Sequence, residues 1–178
     1  MNKKSETVTS NNILDNIKPE DALQILRLLS SQDKELKQKI EKAAMKILSE
    51  VDNEEIACDV FFDLDSIEVE ELWDRSGKSR HGYVDPVDEA YVMFEETIEP
   101  YLAEMKKYQK MGLQKQAKNL CIGIIEGIRQ YDSESKSEFL DWAVDIPSEY
   151  LSEVVDKWKK GNPDVLDIKE IEELLNGE

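Results

Sequence analysis

From Val87 to Tyr108, seven large side chains recur at alternating intervals of four and three residues: Val87, Tyr91, Phe94, Ile98, Tyr101, Met105 and Tyr108. That spacing keeps all of them on one stripe of an α-helix about six turns long. No stretch of the chain answers it with a sustained two-residue alternation. The nearest strand candidate, Ala57 to Leu64, fits helical spacing at least as well. Seven glycines and five prolines in 178 residues are too few for a turn-rich β-sandwich. The chain therefore reads as all-α, built of antiparallel helix pairs joined by short turns. Two architectures satisfy that layout: an α-solenoid of repeat-like pairs, or a compact helical bundle.

Helix starts and stops can be placed from local chemistry. Residues 1–12 read as a loose polar tail, and 13–178 as a single helical domain. Within it, 13–51 forms an N-terminal hairpin, 53–160 a helical core and 161–178 an acidic C-terminal helix. Pro19 suits a first turn, and Ala22, Leu23, Ile25, Leu26 and Leu29 follow at helical spacing. After a break at Ser30-Ser31-Gln32, Asp33 starts a second helix whose apolar face holds Leu36, Ile40, Ala43, Ala44, Ile47 and Leu48. Asn53 is a candidate cap for the third, ahead of Ile56, Ala57, Val60, Phe61 and Leu64. Asp74 to Tyr83 is the clearest loop. Asp85-Pro86 opens the long helix, where Pro100 predicts a kink or break because it cannot donate to the carbonyl of Glu96. Gly112 ends it. The following helix, through Leu120, Cys121, Ile124, Ile125 and Ile128, has the narrowest polar side and is expected to be the most buried. Its Gly123 and Gly127, four apart, would admit another helix closely. Asp167 and Glu170 resemble a capping box for the last helix.

Charge narrows the function classes. Forty acidic residues against 23 basic ones leave a net charge of −17. Such a field repels a phosphate backbone and an anionic membrane surface, so neither nucleic acid nor membrane is the expected partner. No apolar run is long enough to span a bilayer. Met1 to Asn12 lacks the apolar stretch of a signal peptide, which makes the cytoplasm the expected address. Cys58 and Cys121, the only cysteines, both lie on apolar stripes and read as reduced core thiols.

Catalytic and metal-binding signatures are scarce. One histidine, His81, cannot with two distant cysteines assemble a closed Cys/His zinc site. No calcium loop fits over Asp59, Asp63 and Asp65, and no phosphate-binding glycine loop or nucleophile elbow occurs. No cofactor is expected and no catalytic residue is assigned. Arg75, Lys78 and Arg80, beside His81, form the one basic island, a candidate contact for an acidic partner or bound anion. The structural alternative is that Arg75 pairs with a carboxylate of a neighbouring helix. Trp73 and Tyr83 are expected to be packed anchors at the two ends of the loop, with Lys78, Arg80 and His81 in solvent.

The run Leu64-Asp65-Ser66-Ile67-Glu68-Val69-Glu70-Glu71-Leu72-Trp73-Asp74-Arg75-Ser76-Gly77, followed by Gly82-Tyr83-Val84-Asp85-Pro86, resembles the helical region that accompanies SWIM zinc-finger proteins of archaea and bacteria. Cys121-Ile122-Gly123-Ile124-Ile125-Glu126-Gly127 and Asp141-Trp142-Ala143 look similar too. The resemblance implies an all-helical, repeat-like domain used for interactions. The zinc module, with its Cys-x-Cys and Cys-x-His pairs, is absent, so zinc and DNA binding do not carry over. The expected function is a non-catalytic interaction or scaffold protein with a protein partner, its oligomeric state open. The alternative is an enzyme or small-ligand binder with an acidic pocket near Asp63, Asp65 and His81.

Overall fold

The computed structural model describes residues 16–80 and 82–177, with only the backbone of Ser79. The tail expected over 1–12 lies outside the described residues. The chain separates into two compact units between Ser49 and Glu50, close to the end drawn for the N-terminal hairpin.

The first unit holds α1 (Pro19–Gln32) and α2 (Lys34–Leu48), which contact each other. Pro19 stands in the first turn of α1, and Asp33 alone separates the helices. Its carboxylate caps α2, accepting from the amides of Glu35 and Leu36. The break expected at Ser30-Ser31-Gln32 is absent, because those residues complete the last turn of α1. Neither helix buries a residue, although both carry the expected apolar stripes. Two helices cover only part of each other's faces, so Leu23, Leu26, Leu28 and Ile47 stay exposed.

The second unit is an all-α compact bundle. It holds α3 (Asn53–Asp65), α4 (Val69–Arg75), a β-hairpin of β1 (Gly77–Ser79) and β2 (Gly82–Val84), and α5 (Pro86–Lys110). These are followed by α6 (Gln114–Glu134), a 3₁₀ helix (Glu138–Trp142), α7 (Ile146–Lys159) and α8 (Val165–Asn176). No described helix is long and apolar enough to cross a membrane.

α6 is the centre of the bundle. Its buried face runs through Ala117, Leu120, Cys121, Ile124, Ile125, Ile128 and Tyr131. α5 and α7 pack on it from one side, and α3 lies along it from another. The closest approach is at the two glycines. A Cβ at Gly127 would sit 2.6 Å from the carbonyl oxygen of Ala57 and 2.6 Å from Val60 Cβ. A Cβ at Gly123 would sit 2.7 Å from Ile56 Cβ and 2.8 Å from the carbonyl oxygen of Asn53. The order of these contacts makes α3 and α6 parallel, although they are not neighbours in sequence. α4, the β-hairpin and α5 separate them along the chain.

Several local expectations need correction. Asn53 is not the cap of α3: Asp52 accepts from the amide of Glu54, and Asn53 donates across to Glu126. Asp167 does not cap α8 either. Asp164 does, accepting from the amide of Leu166. Asp167 and Glu170 instead grip Lys118 of α6 at 2.7 and 2.6 Å. α5 runs through Pro100 without a break, because a long buried face on both sides holds the backbone helical despite one missing donor. Cys58 is exposed while Cys121 is buried. The buried face of α3 is Ala57, Val60 and Leu64, and Cys58, one residue on, is rotated about 100° away from it.

Two consequences can be measured. Gly127→Ala gains helix propensity but drives a methyl into backbone, for an expected net loss of about 1–2 kcal/mol in denaturant unfolding. Thiol titration should count one reactive cysteine in the native protein and two in denaturant. Burial pushes the Cys121 thiol up to about 12, so it offers almost no thiolate near neutral pH.

Candidate functional site

The segment from Trp73 to Pro86 joins α4 to α5. α4 is only seven residues long and is anchored by Leu72, which is fully buried. Arg75, in its last turn, is the bolt. Its guanidinium donates to Glu71 of the same helix and to Glu96 of α5, both at 2.7 Å, with Glu89 at 3.7 Å. Hydrogen bonds to Glu96 and then Glu71 raise its pKa further. The guanidinium is thus already supplied with carboxylates, and a second anion would have to compete for it.

The segment expected to be a loop is a short antiparallel hairpin. Gly77 pairs with Val84, Lys78 with Tyr83 and Ser79 with Gly82. Three-residue strands are too short to show in an alternation pattern. Gly77 and Gly82, with φ of 90° and 136°, supply backbone angles that other residues rarely adopt. Lys78 and Tyr83 stand directly opposite, so their side chains share one face of the hairpin. Lys78 and Arg80 are exposed. His81 lies outside the described residues.

The two aromatic anchors are not buried. Trp73 is 47% exposed and Tyr83 69%. Trp73, about 100° round α4 from Leu72, meets Trp142 in an edge-to-face contact, with ring centroids 4.6 Å apart and planes at 81°. Trp142 is half-buried at the end of the 3₁₀ helix, where Phe139 and Ala143 hold that turn in the core. Val144, two residues on, is 65% exposed. The sequence reading missed this pairing of tryptophans. Asp141-Trp142-Ala143 stood out only as part of a resemblance, and nothing local marks it as the partner of a ring 69 residues earlier.

The two acidic residues of the alternative site line two adjoining hollows, which share Ser66 and Ile67. Asp63 lines a hollow of about 380 Å³ with Arg75, Glu96 and Thr97, and accepts a hydrogen bond from Tyr101 at 2.5 Å. Burial first, then that bond, raises the Tyr101 phenol. Asp65 lines the other hollow, of about 540 Å³, with Glu68, Glu70 and Lys136, and accepts from Ser135 at 2.6 Å. The reason is helical: two residues on a helix are about 200° apart. Among the described residues, no group of three or more His, Cys, Asp and Glu is placed to hold a metal ion.

No protein-family model matches the chain, and neither a curated protein nor a solved structure matches it.

The exposure of Trp73 sets a stability test. Trp158, fully buried, should cost about 3–5 kcal/mol on truncation to alanine. Trp73→Ala should cost only about 1–2 kcal/mol, since it loses a partial burial and one edge contact. Urea denaturation of the two variants gives the comparison. Equal losses would mean that Trp73 is packed in solution.

Proposed function

We propose that the chain is a non-catalytic helical interaction protein that engages a protein partner through the Trp73 end of its bundle. The observation that carries this is the half-exposed Trp73 ring standing on Trp142. Large amphipathic rings dominate interface energetics, and a fixed one loses little conformational freedom on binding. Tyr83 and Val144 add exposed apolar surface, and Lys78 and Arg80 add positive charge beside it. That combination suits a partner segment with a hydrophobic anchor flanked by carboxylates. Arg75 belongs to the reading as a support, since its guanidinium ties α4 to α5. His81 remains a candidate contact by its place in the sequence.

The resemblance to the helical region that accompanies SWIM zinc-finger proteins points the same way, toward interaction without the zinc module. The acidic surface supports a partner other than nucleic acid or membrane, and the cytoplasm is the proposed address. The test is affinity capture with the full chain and three variants. Trp73→Ala and the pair Lys78→Glu with Arg80→Glu should each lose at least tenfold of a specific partner, with helicity by circular dichroism unchanged. Lys169→Glu, on α8, should retain it. A partner kept by both site variants would sink the proposal.

A further inference from the structure

α5 and α7 pack against each other. Tyr91 of α5 donates to Glu153 in the middle of α7, and Gln109 at the end of α5 donates to the carbonyl of Trp158 at the end of α7. Where the two helices finish they leave a cavity of about 460 Å³, a size suited to a small molecule. Its lining includes Lys106, Lys110, Lys157 and Lys160, with Leu102 and Met105 as apolar wall. Residues 50–178 contain 33 acidic and 14 basic residues. That four of the 14 converge on one hollow reverses the local charge of a strongly acidic unit.

The lysines are not equivalent. Lys157 is held by Glu153 at 2.9 Å and approaches Glu95 at 3.8 Å. Among the described residues, no carboxylate lies within 4.0 Å of the amines of Lys106, Lys110 or Lys160. Lys160 acts on Glu153 only at longer range, helping to hold its pKa down after the hydrogen bond from Lys157. Both helices also end here, and each C-terminus contributes about half a negative charge. The two helix ends offset part of this positive charge, and Glu99 stands farther back, so the charge is concentrated on the three lysines at this end of the cleft. A phosphate monoester, with three oxygens and close to a dianion at neutral pH, can engage all three amines at once.

The cleft also has a direction. Glu99 lines it as well, but lies eleven residues before Lys110, about 16 Å back along α5. A carboxylate there repels an anionic head and accepts hydrogen bonds from hydroxyls. The apolar wall lies between the two ends. The phosphate end is held in place before any ligand arrives. Gln109 bonds the carbonyl of Trp158 at 2.7 Å, and Gln114 donates to the carbonyl of Gly161 at 3.3 Å. A Cβ at Gly161 would lie 2.5 Å from the Gln109 amide, so glycine allows this tight closure.

We propose that the α5–α7 cleft binds a small phosphorylated metabolite, with its phosphate on Lys106, Lys110 and Lys160 and its hydroxyl-bearing body along Leu102 and Met105 toward Glu99. The site is independent of the Trp73 surface. Calorimetric titration of the full chain at low ionic strength, with AMP, ribose 5-phosphate, adenosine and inorganic phosphate, tests it. At least one of the two esters should bind saturably at one site per chain, and inorganic phosphate and adenosine at least tenfold more weakly. Lys110→Gln with Lys160→Gln should weaken the ester at least tenfold at an unchanged melting temperature. Lys110→Arg with Lys160→Arg should retain most of the binding, which separates loss of charge from loss of fold. Lys78→Glu with Arg80→Glu should leave the ester's affinity unaltered, which separates this site from the partner surface. Absence of saturable binding by both esters would overturn the proposal, as would unchanged affinity in the glutamine variant. Inorganic phosphate binding as tightly as the esters would reduce the cleft to an ion site and overturn the role of the organic body.

Discussion

The bundle depends on two missing side chains. At Gly123 and Gly127, α6 presents bare backbone to α3, and the backbone of α3 comes close enough to fill the space. Glycine weakens a helix interior by about 1 kcal/mol relative to alanine. Here that cost is offset by a contact no other residue permits. Val60 and Leu64 become fully buried along the same seam. The polar rim of the seam is supplied by Asn53 on Glu126 and Asn119 on the carbonyl of Val51. Once α3 is set along α6, its C-terminal end directs the chain into α4, and α4 carries Trp73 and Arg75. The position of the candidate interaction surface therefore follows from a glycine contact on another helix.

Basic residues are few in this unit, and most of those that are paired connect one helix to another. Arg75 joins α4 to α5, Lys118 joins α6 to α8, and Lys159 reaches Glu172 of α8 at 2.7 Å. Arg129 donates to the carbonyl of Leu175 and ties down the end of α8. Surface pairs of this kind contribute little individually. Their role is positional: each opposes the mutual repulsion of acidic helices at a place where two of them meet. Against that pattern, the unpaired lysines of the α5–α7 cleft line an opening in the surface rather than bridging a helix contact.

Much of the helical layout is legible in order along the chain. Pro19, Asp33, the Asp85-Pro86 start and the glycine after α5 all act within a turn of where they stand, so local chemistry places them. The burial of α6 is also legible, since its polar side is narrow. The errors have a common origin. Asn53 and Asp167 had the right chemistry for caps, but Asp52 and Asp164 took those positions. Asn53 and Asp167 were then free to bond another helix. Trp73 was expected inside because large rings usually are. Whether a ring is buried depends on what stands over it, and Trp73, although in contact with Trp142, stays about half exposed.

By itself, then, the sequence determined the all-α class, the approximate span of most helices, and the fact that α6 would be enclosed by others. Periodicity and capping act over a few residues and survive without knowledge of neighbours. Only the tertiary structure decided that α3 lies parallel to α6 and that Trp73 stands against Trp142. It alone brought Lys106 and Lys110 of one helix to the same cavity as Lys157 and Lys160 of another. Each of these is a meeting of residues about 50 or more positions apart. Such meetings are set by which packing of the helices buries the most surface without overlap, a property of the whole set of helices that no local window contains.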